Sequence, residues 1–114
     1  MTEKSCLLEP VFDLFGKKWT TLILREIMNG NNHYGKLLKI IPNISSRTLS
    51  SRLRMLEENG IVIRNVYDTI PPSVEYNLTK IGQKTRKIFV AMSEWQAEWK
   101  KVKNINFSKQ KLSN

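Results

Sequence analysis

Between Ser45 and Arg54 the chain carries three arginines, four serines and one threonine, and no carboxylate. Those side chains suit one kind of chemistry. A guanidinium grips guanine O6 and N7 with two bonds, while hydroxyls and the amides of a helix N-terminus bind phosphate. Small serines also let a helix backbone sit deep in a major groove. On a helical wheel Leu49, Leu53 and Leu56 form a narrow apolar stripe. Arg47, Ser51, Arg54 and Glu58 lie opposite it, with Thr48, Ser50 and Met55 towards the flanks. The acidic pair Glu57-Glu58 comes only at the far end, away from where a recognition helix meets bases. The competing reading is an ordinary amphipathic helix whose polar face meets water.

Other chemistries find few residues. There is one histidine, His33, and one cysteine, Cys6, with no glycine-rich phosphate loop between them. The only aspartates are Asp13 and Asp68, and no spacing matches a metal site. An enzyme, a bound cofactor and a metal centre are therefore not expected. A single cysteine also excludes an internal disulfide framework.

The elements that must position the polar stretch are legible from period and punctuation. Leu8, Val11, Phe12 and Phe15 fall at i, i+3, i+4 and i+7, predicting a helix over about 7–15 that tolerates Pro10 in its first turn and ends at Gly16. A second helix is expected over about 19–28, with Trp19, Leu22, Ile23 and Ile27 on one face and Asn29-Gly30 at its end. A short third, about 34–41, would turn Leu37, Leu38 and Ile41 inward before Pro42 stops it. Asn43-Ile44 then makes a tight connection to the polar helix, about 46–59, with Ser45 as its N-cap and Gly60 as its stop. Two helices joined by so short a turn have the helix-turn-helix outline.

From Ile61 the period changes. Residues 62–67 are rich in β-branched and aromatic side chains, and Val74, Tyr76 and Leu78 alternate with Glu75 and Asn77, which predicts a hairpin around the turn 68–73. Helix, helix, hairpin in that order is a winged helix-turn-helix, with Lys36 and Arg64 placed to add phosphate contacts. The hairpin tip is poor in charge, since Asp68 is acidic and Ser73 is its one good phosphate donor. Thr79 is expected to cap a long final helix, about 80–103. Along it Ile81, Thr85, Ile88, Met92, Trp95, Trp99 and Val102 repeat every 3.5 residues on average, the spacing of a helix lying along another helix. Two tryptophans on that seam point to a second copy of the chain as its cover. The alternative is that the seam packs on the helix that begins near Leu7.

Composition agrees with a small nucleic-acid binder. The 114 residues, 40% hydrophobic and 25% charged, make about one domain, here residues 1–103, with a basic tail over 104–114. The net charge of +9 favours a polyanionic partner, with nucleic acid ahead of an anionic membrane surface. Nine of the 19 basic side chains lie in residues 80–114, so a solvated basic end would account for much of the excess. No apolar run is long enough to span a membrane. Glu9 and Pro10 interrupt what would be a signal peptide, so a cytoplasmic protein is expected.

The residues resemble the HxlR-type winged helix-turn-helix transcriptional regulators of bacteria and archaea. Carriers of the resemblance are Gly16-Lys17-Lys18-Trp19, Leu22-Ile23-Leu24-Arg25-Glu26 and Tyr34-Gly35-Lys36-Leu37. They continue in Ile44-Ser45, Leu49-Ser50-Ser51-Arg52-Leu53 and Leu56-Glu57-Glu58-Asn59-Gly60. The hairpin, from Arg64-Asn65-Val66-Tyr67 to Pro71-Pro72-Ser73-Val74-Glu75-Tyr76-Asn77-Leu78-Thr79, is the most specific part. The resemblance implies a mainly helical fold with a small β-hairpin that dimerises through its first and last helices, placing Leu8, Phe12, Ile88, Met92, Trp95 and Trp99 at the interface. It implies a homodimer on a palindromic operator in double-stranded DNA, repressing or activating neighbouring genes. By position the recognition residues would be Ser46, Arg47, Thr48, Ser50, Ser51 and Arg54. Arg52, at the helix edge, would either join them or hold the helix through a carboxylate. Two positions depart from the family pattern: Ser46 stands where relatives often carry proline or a basic residue, and Ser73 where arginine is frequent at the wing. Some relatives sense electrophiles or oxidants through a cysteine at the position of Cys6. Lys4 and a helix N-terminus would favour its thiolate, and with no second cysteine any disulfide would link two subunits or capture a small thiol. The alternative for Cys6 is a small apolar residue at an interface. A winged helix that binds protein instead of DNA remains the other class of function.

Overall fold

The computed structural model describes residues 7–103; Cys6 and the expected tail, 104–114, lie outside the described residues. The chain divides into two compact units, Met1–Gln83 and Lys84–Asn114.

The first unit runs α1 (Glu9–Phe15), α2 (Lys18–Met28), α3 (Tyr34–Ile40), α4 (Ser46–Glu58), β1 (Val62–Tyr67), β2 (Ser73–Leu78) and α5 (Lys80–Gln83). Its core gathers one apolar stripe from each principal helix and closes with the hairpin: Ile23, Leu24 and Ile27 of α2, Leu37 of α3, and Leu49, Leu53 and Leu56 of α4, together with Val62 and Tyr76. The three α4 leucines are fully buried, each contributing about 2 kcal/mol by removal from water. Pro10 sits in the first turn of α1, where a missing N–H costs nothing. α1 lies against α2 but buries none of its own residues, and Leu8, Val11 and Phe12 are exposed.

Two inward faces differ from expectation. α2 turns Thr20, Ile23, Leu24 and Ile27 into the core and leaves Trp19 half-buried under the Lys18 ammonium, 5.1 Å from the ring centroid. That set falls at i, i+3, i+4 and i+7 and the expected one at i, i+3, i+4 and i+8, both helical, so spacing alone did not decide between the two registers. Leu38 is exposed, because Leu37 and Ile41 already fill the narrow stripe available to a seven-residue helix.

The connection between α3 and α4 follows its residue types. Ile41, before Pro42, is extended (ψ 112°), and Asn43 turns the chain with φ 64°, a conformation asparagine tolerates. After α4, Gly60 takes φ 74° and the chain passes into β1. β1 and β2 pair antiparallel from Val62↔Leu78 to Tyr67↔Ser73, so Ser73 belongs to the ladder and not to the turn. At the tip the Thr69 hydroxyl donates to the Pro71 carbonyl at 2.7 Å.

The expected single last helix is two helices. Thr79 caps α5 as predicted, its Oγ1 accepting from the Gly82 amide at 3.2 Å and donating to the Gly60 carbonyl at 2.6 Å. The chain then turns at Lys84-Thr85 before α6 (Arg86–Lys103). The 3.5-residue repeat runs through this break and carried no sign of it. In the second unit, α6 exposes Ile88, Met92, Trp95, Trp99 and Val102. The Trp95 and Trp99 rings are tilted at 39° with centroids 5.2 Å apart.

Candidate nucleic-acid interface

α4 is built as its sequence requires. The Ser45 side chain accepts from the Thr48 amide at 3.0 Å, satisfying one of the free N–H groups of the first turn, and also donates to the Thr48 hydroxyl at 3.0 Å. With Leu49, Leu53 and Leu56 inward, Ser46, Arg47, Ser50, Ser51 and Arg54 are exposed and Thr48 and Arg52 half-buried. Among the described residues no carboxylate lies within salt-bridge distance of Arg47, Arg54, Arg64 or Lys36, so four cationic heads are available to an anion.

The hairpin brings a second wall. Arg64 and Tyr76 are cross-strand partners on the face turned towards α4, and with Val74, Tyr34, Ser50, Arg54 and Glu57 they border a cleft of about 440 Å³. Glu57 is the one carboxylate of that lining. Arg54 and Arg64 thus share one opening between helix and wing. Lys36 is exposed on α3. Ser73 is half-buried at the outer end of the ladder. Ile70 at the wing tip is fully exposed.

Arg52 is less simple. Its Nε is buried with no hydrogen-bond partner, and no carboxylate pairs with it among the described residues. The tether through a carboxylate therefore has no partner there.

A polar network that the sequence reading missed joins wing to helix-turn-helix. The Asn32 amide donates to Asn77 Oδ1 at 3.0 Å, and the Tyr76 amide donates to the Asn32 carbonyl at 2.7 Å. Asn77 and Tyr67 both donate to Glu75 Oε1, at 2.7 and 3.0 Å, while His33 Nε2 lies 3.5 Å from Oε2. The Asn77 amide first, then the Tyr67 hydroxyl, hold the Glu75 carboxyl below its ordinary range, with a smaller contribution from His33. The same carboxylate, as hydrogen-bond acceptor and as a neighbouring charge, pushes the Tyr67 phenol up. Also missed was Tyr34, whose hydroxyl donates to the Ser46 carbonyl at 3.2 Å and lies 3.0 Å from Ser50 Oγ. A tyrosine at a helix start gives no sequence signal for a cross-helix bond.

Among the described residues no group of three or more His, Cys, Asp or Glu is placed to hold a metal ion, and no helix is long and apolar enough to cross a membrane.

A capped polar helix after a tight turn, flanked by a two-stranded hairpin, defines a winged helix-turn-helix protein. The chain belongs to the HxlR-like helix-turn-helix family, whose model matches residues 14–104. It is 43% identical over 94 residues to the uncharacterized HTH-type transcriptional regulator sll1512 of Synechocystis, covering 82% of this chain and 70% of that protein. Among solved structures it is similar to the redox regulator HypR in its oxidized form (TM-score 0.72, 36% identity, 82% of this chain and 96% of that one). It is likewise similar to the reduced form of the regulator YodB from Bacillus subtilis (TM-score 0.70, 37% identity, 83% and 90%). The protein is a transcriptional regulator of the winged-helix type.

Proposed function

We propose that the protein acts as a homodimer on a palindromic operator, each copy laying α4 in one major groove. Arg47 and Arg54 grip base edges. Ser46, Thr48 and Ser51 serve base or phosphate from the same face, with Arg52 on the flank. Lys36 and Arg64 hold the phosphates on either side, and Ser73 adds at most a neutral contact at the wing. The observation that carries this reading is the exposed, carboxylate-free face of α4 from Ser46 to Arg54, with its arginines unpaired. Leu8 and Phe12 of α1 and Ile88, Met92, Trp95 and Trp99 of α6 supply exposed apolar surface for self-association. The reading places the protein in the cytoplasm, where its DNA target is.

The test uses the tightest-binding duplex recovered from a randomised pool. Arg47→Ala and Arg54→Ala should each weaken binding by about 1–3 kcal/mol, roughly fivefold to more than a hundredfold. Fluorescence anisotropy at fixed salt reads this, with helicity unchanged by circular dichroism. Unaltered binding by both variants would reject α4 as the reader.

A small-molecule or oxidant effector fits the same regulator: the chain is similar to HypR, a redox regulator, and Cys6 is the one cysteine of the sequence on which an oxidant could act. Two Cys6 thiols, one from each copy, would lose two electrons and two protons to a peroxide in forming a disulfide. A Cys6→Ser protein whose DNA affinity still responds to peroxide would remove that assignment.

A further inference from the structure

We infer that Tyr34 is a positioning residue for α4 and that Ser50, its partner, is a brace and not a reader of DNA. The inference rests on the reading of α4 as the DNA-contacting helix. Tyr34 opens α3, and its hydroxyl reaches across the turn to two points on α4, the Ser46 carbonyl at 3.2 Å and Ser50 Oγ at 3.0 Å. The allocation of protons follows. The phenol has one hydrogen; when the Ser46 carbonyl accepts it, the phenol oxygen is free to accept the hydrogen of Ser50, either of the two hydroxyls being able to donate across the 3.0 Å contact. In that arrangement the Ser50 hydrogen is spent on Tyr34 and only its lone pairs face a phosphate or a base. Its exposure therefore misrepresents its use.

The spacing of the two contacts gives the brace its effect. Ser46 and Ser50 are four residues apart and so lie above one another on one side of the helix. A single hydroxyl spanning both opposes rotation of α4 about its own axis. Rotation by about 20° moves side-chain tips at the helix surface by about 2 Å, which is enough to break a two-bond contact between arginine and guanine. Arg47, Ser51 and Arg54 are one and four residues from these anchors, so their direction follows the angle that Tyr34 sets. Arg54 also borders the same cleft as Tyr34 and Ser50.

Tyr34→Phe keeps the ring and removes only the hydroxyl. Without DNA, the amides of residues 47–54 should exchange hydrogen about fivefold faster in this variant, with α2 unchanged, as expected for loss of one net hydrogen bond. With the selected duplex, Tyr34→Phe and Ser50→Ala should each lower the ratio of selected-duplex to random-duplex affinity by about fivefold. The double variant should lose no more than the worse single one, because both remove the same brace. Affinity for random duplex and its salt dependence should stay at wild-type values. Unchanged exchange in α4, or additive losses in the double variant, would overturn the brace. Loss of preference at one base pair in Ser50→Ala but not in Tyr34→Phe would overturn it too, by making Ser50 a reader. A wild-type protein that prefers no duplex would defeat the DNA reading instead, while the exchange arm, made without DNA, still decides whether the phenol pins the helix.

Discussion

Glu75 shows how much of the wing's seating depends on a single carboxylate. Donors from Asn77 and Tyr67 converge on one of its oxygens and His33 approaches the other, so the charged form is favoured in the folded protein. A carboxyl whose folded pKa is lowered contributes stability above its ordinary value of 4.5, and that contribution disappears as pH falls through the lowered value. The raised Tyr67 phenol has the opposite sign: its contribution is present at neutral pH and is lost as pH rises above 10.0. Glu75→Gln should therefore melt below the wild type at pH 7, and the gap should close as the buffer is taken down through the carboxylate range. Thermal melts that stay parallel across that range would contradict the assignment. None of this network was legible beforehand. The hairpin pattern placed Glu75 and Asn77 on one face, but only the fold brings Asn32 and His33 from the α3 approach beside them.

At the scale of elements, α4 was the most readable part of the chain, because cap, stripe and stop all agree. Ser45, the three buried leucines and Gly60 each do what their residue types allow and little else. The hairpin was readable for the same reason. The division of the last helix was not, since the 3.5-residue repeat runs unbroken through the turn at Lys84-Thr85. A Cβ on Gly82 would run into the Ile61 carbonyl oxygen, so α5 sits on the α4–β1 turn only because residue 82 has no side chain. Gly82→Ala should destabilise the protein by about 1–3 kcal/mol, the usual cost of overpacking against backbone. Urea unfolding measures it, and a midpoint equal to the wild type would show that α5 is free to shift. The misread face of α2 has a different origin: Thr20 is polar in composition yet fully buried, while the bulk of Trp19 suggested a core position it does not take.

For the whole molecule, the proposed function assigns the basic surplus to DNA and the exposed apolar face of α6 to a second copy of the chain. Trp95 is 63% exposed, so Trp95→Glu should leave α6 intact while burdening any interface with an unpaired charge. Sedimentation at micromolar concentration should give a dimer for the wild type and a monomer for this variant, with selected-duplex binding weakened in parallel. A wild type that sediments as a monomer would remove the dimer from the account. Binding that ignores salt would favour a protein partner over DNA, because phosphate contacts release counterions. The most direct measurement of the central claim is selection of bound duplexes from a randomised pool, run on the wild type and on Arg47→Ala. The wild type should return a motif with twofold symmetry, its half-sites centred about one helical turn apart, and the variant should lose preference at one position in each half. Recovery of unrelated duplexes by the wild type, or an identical motif from the variant, would contradict it.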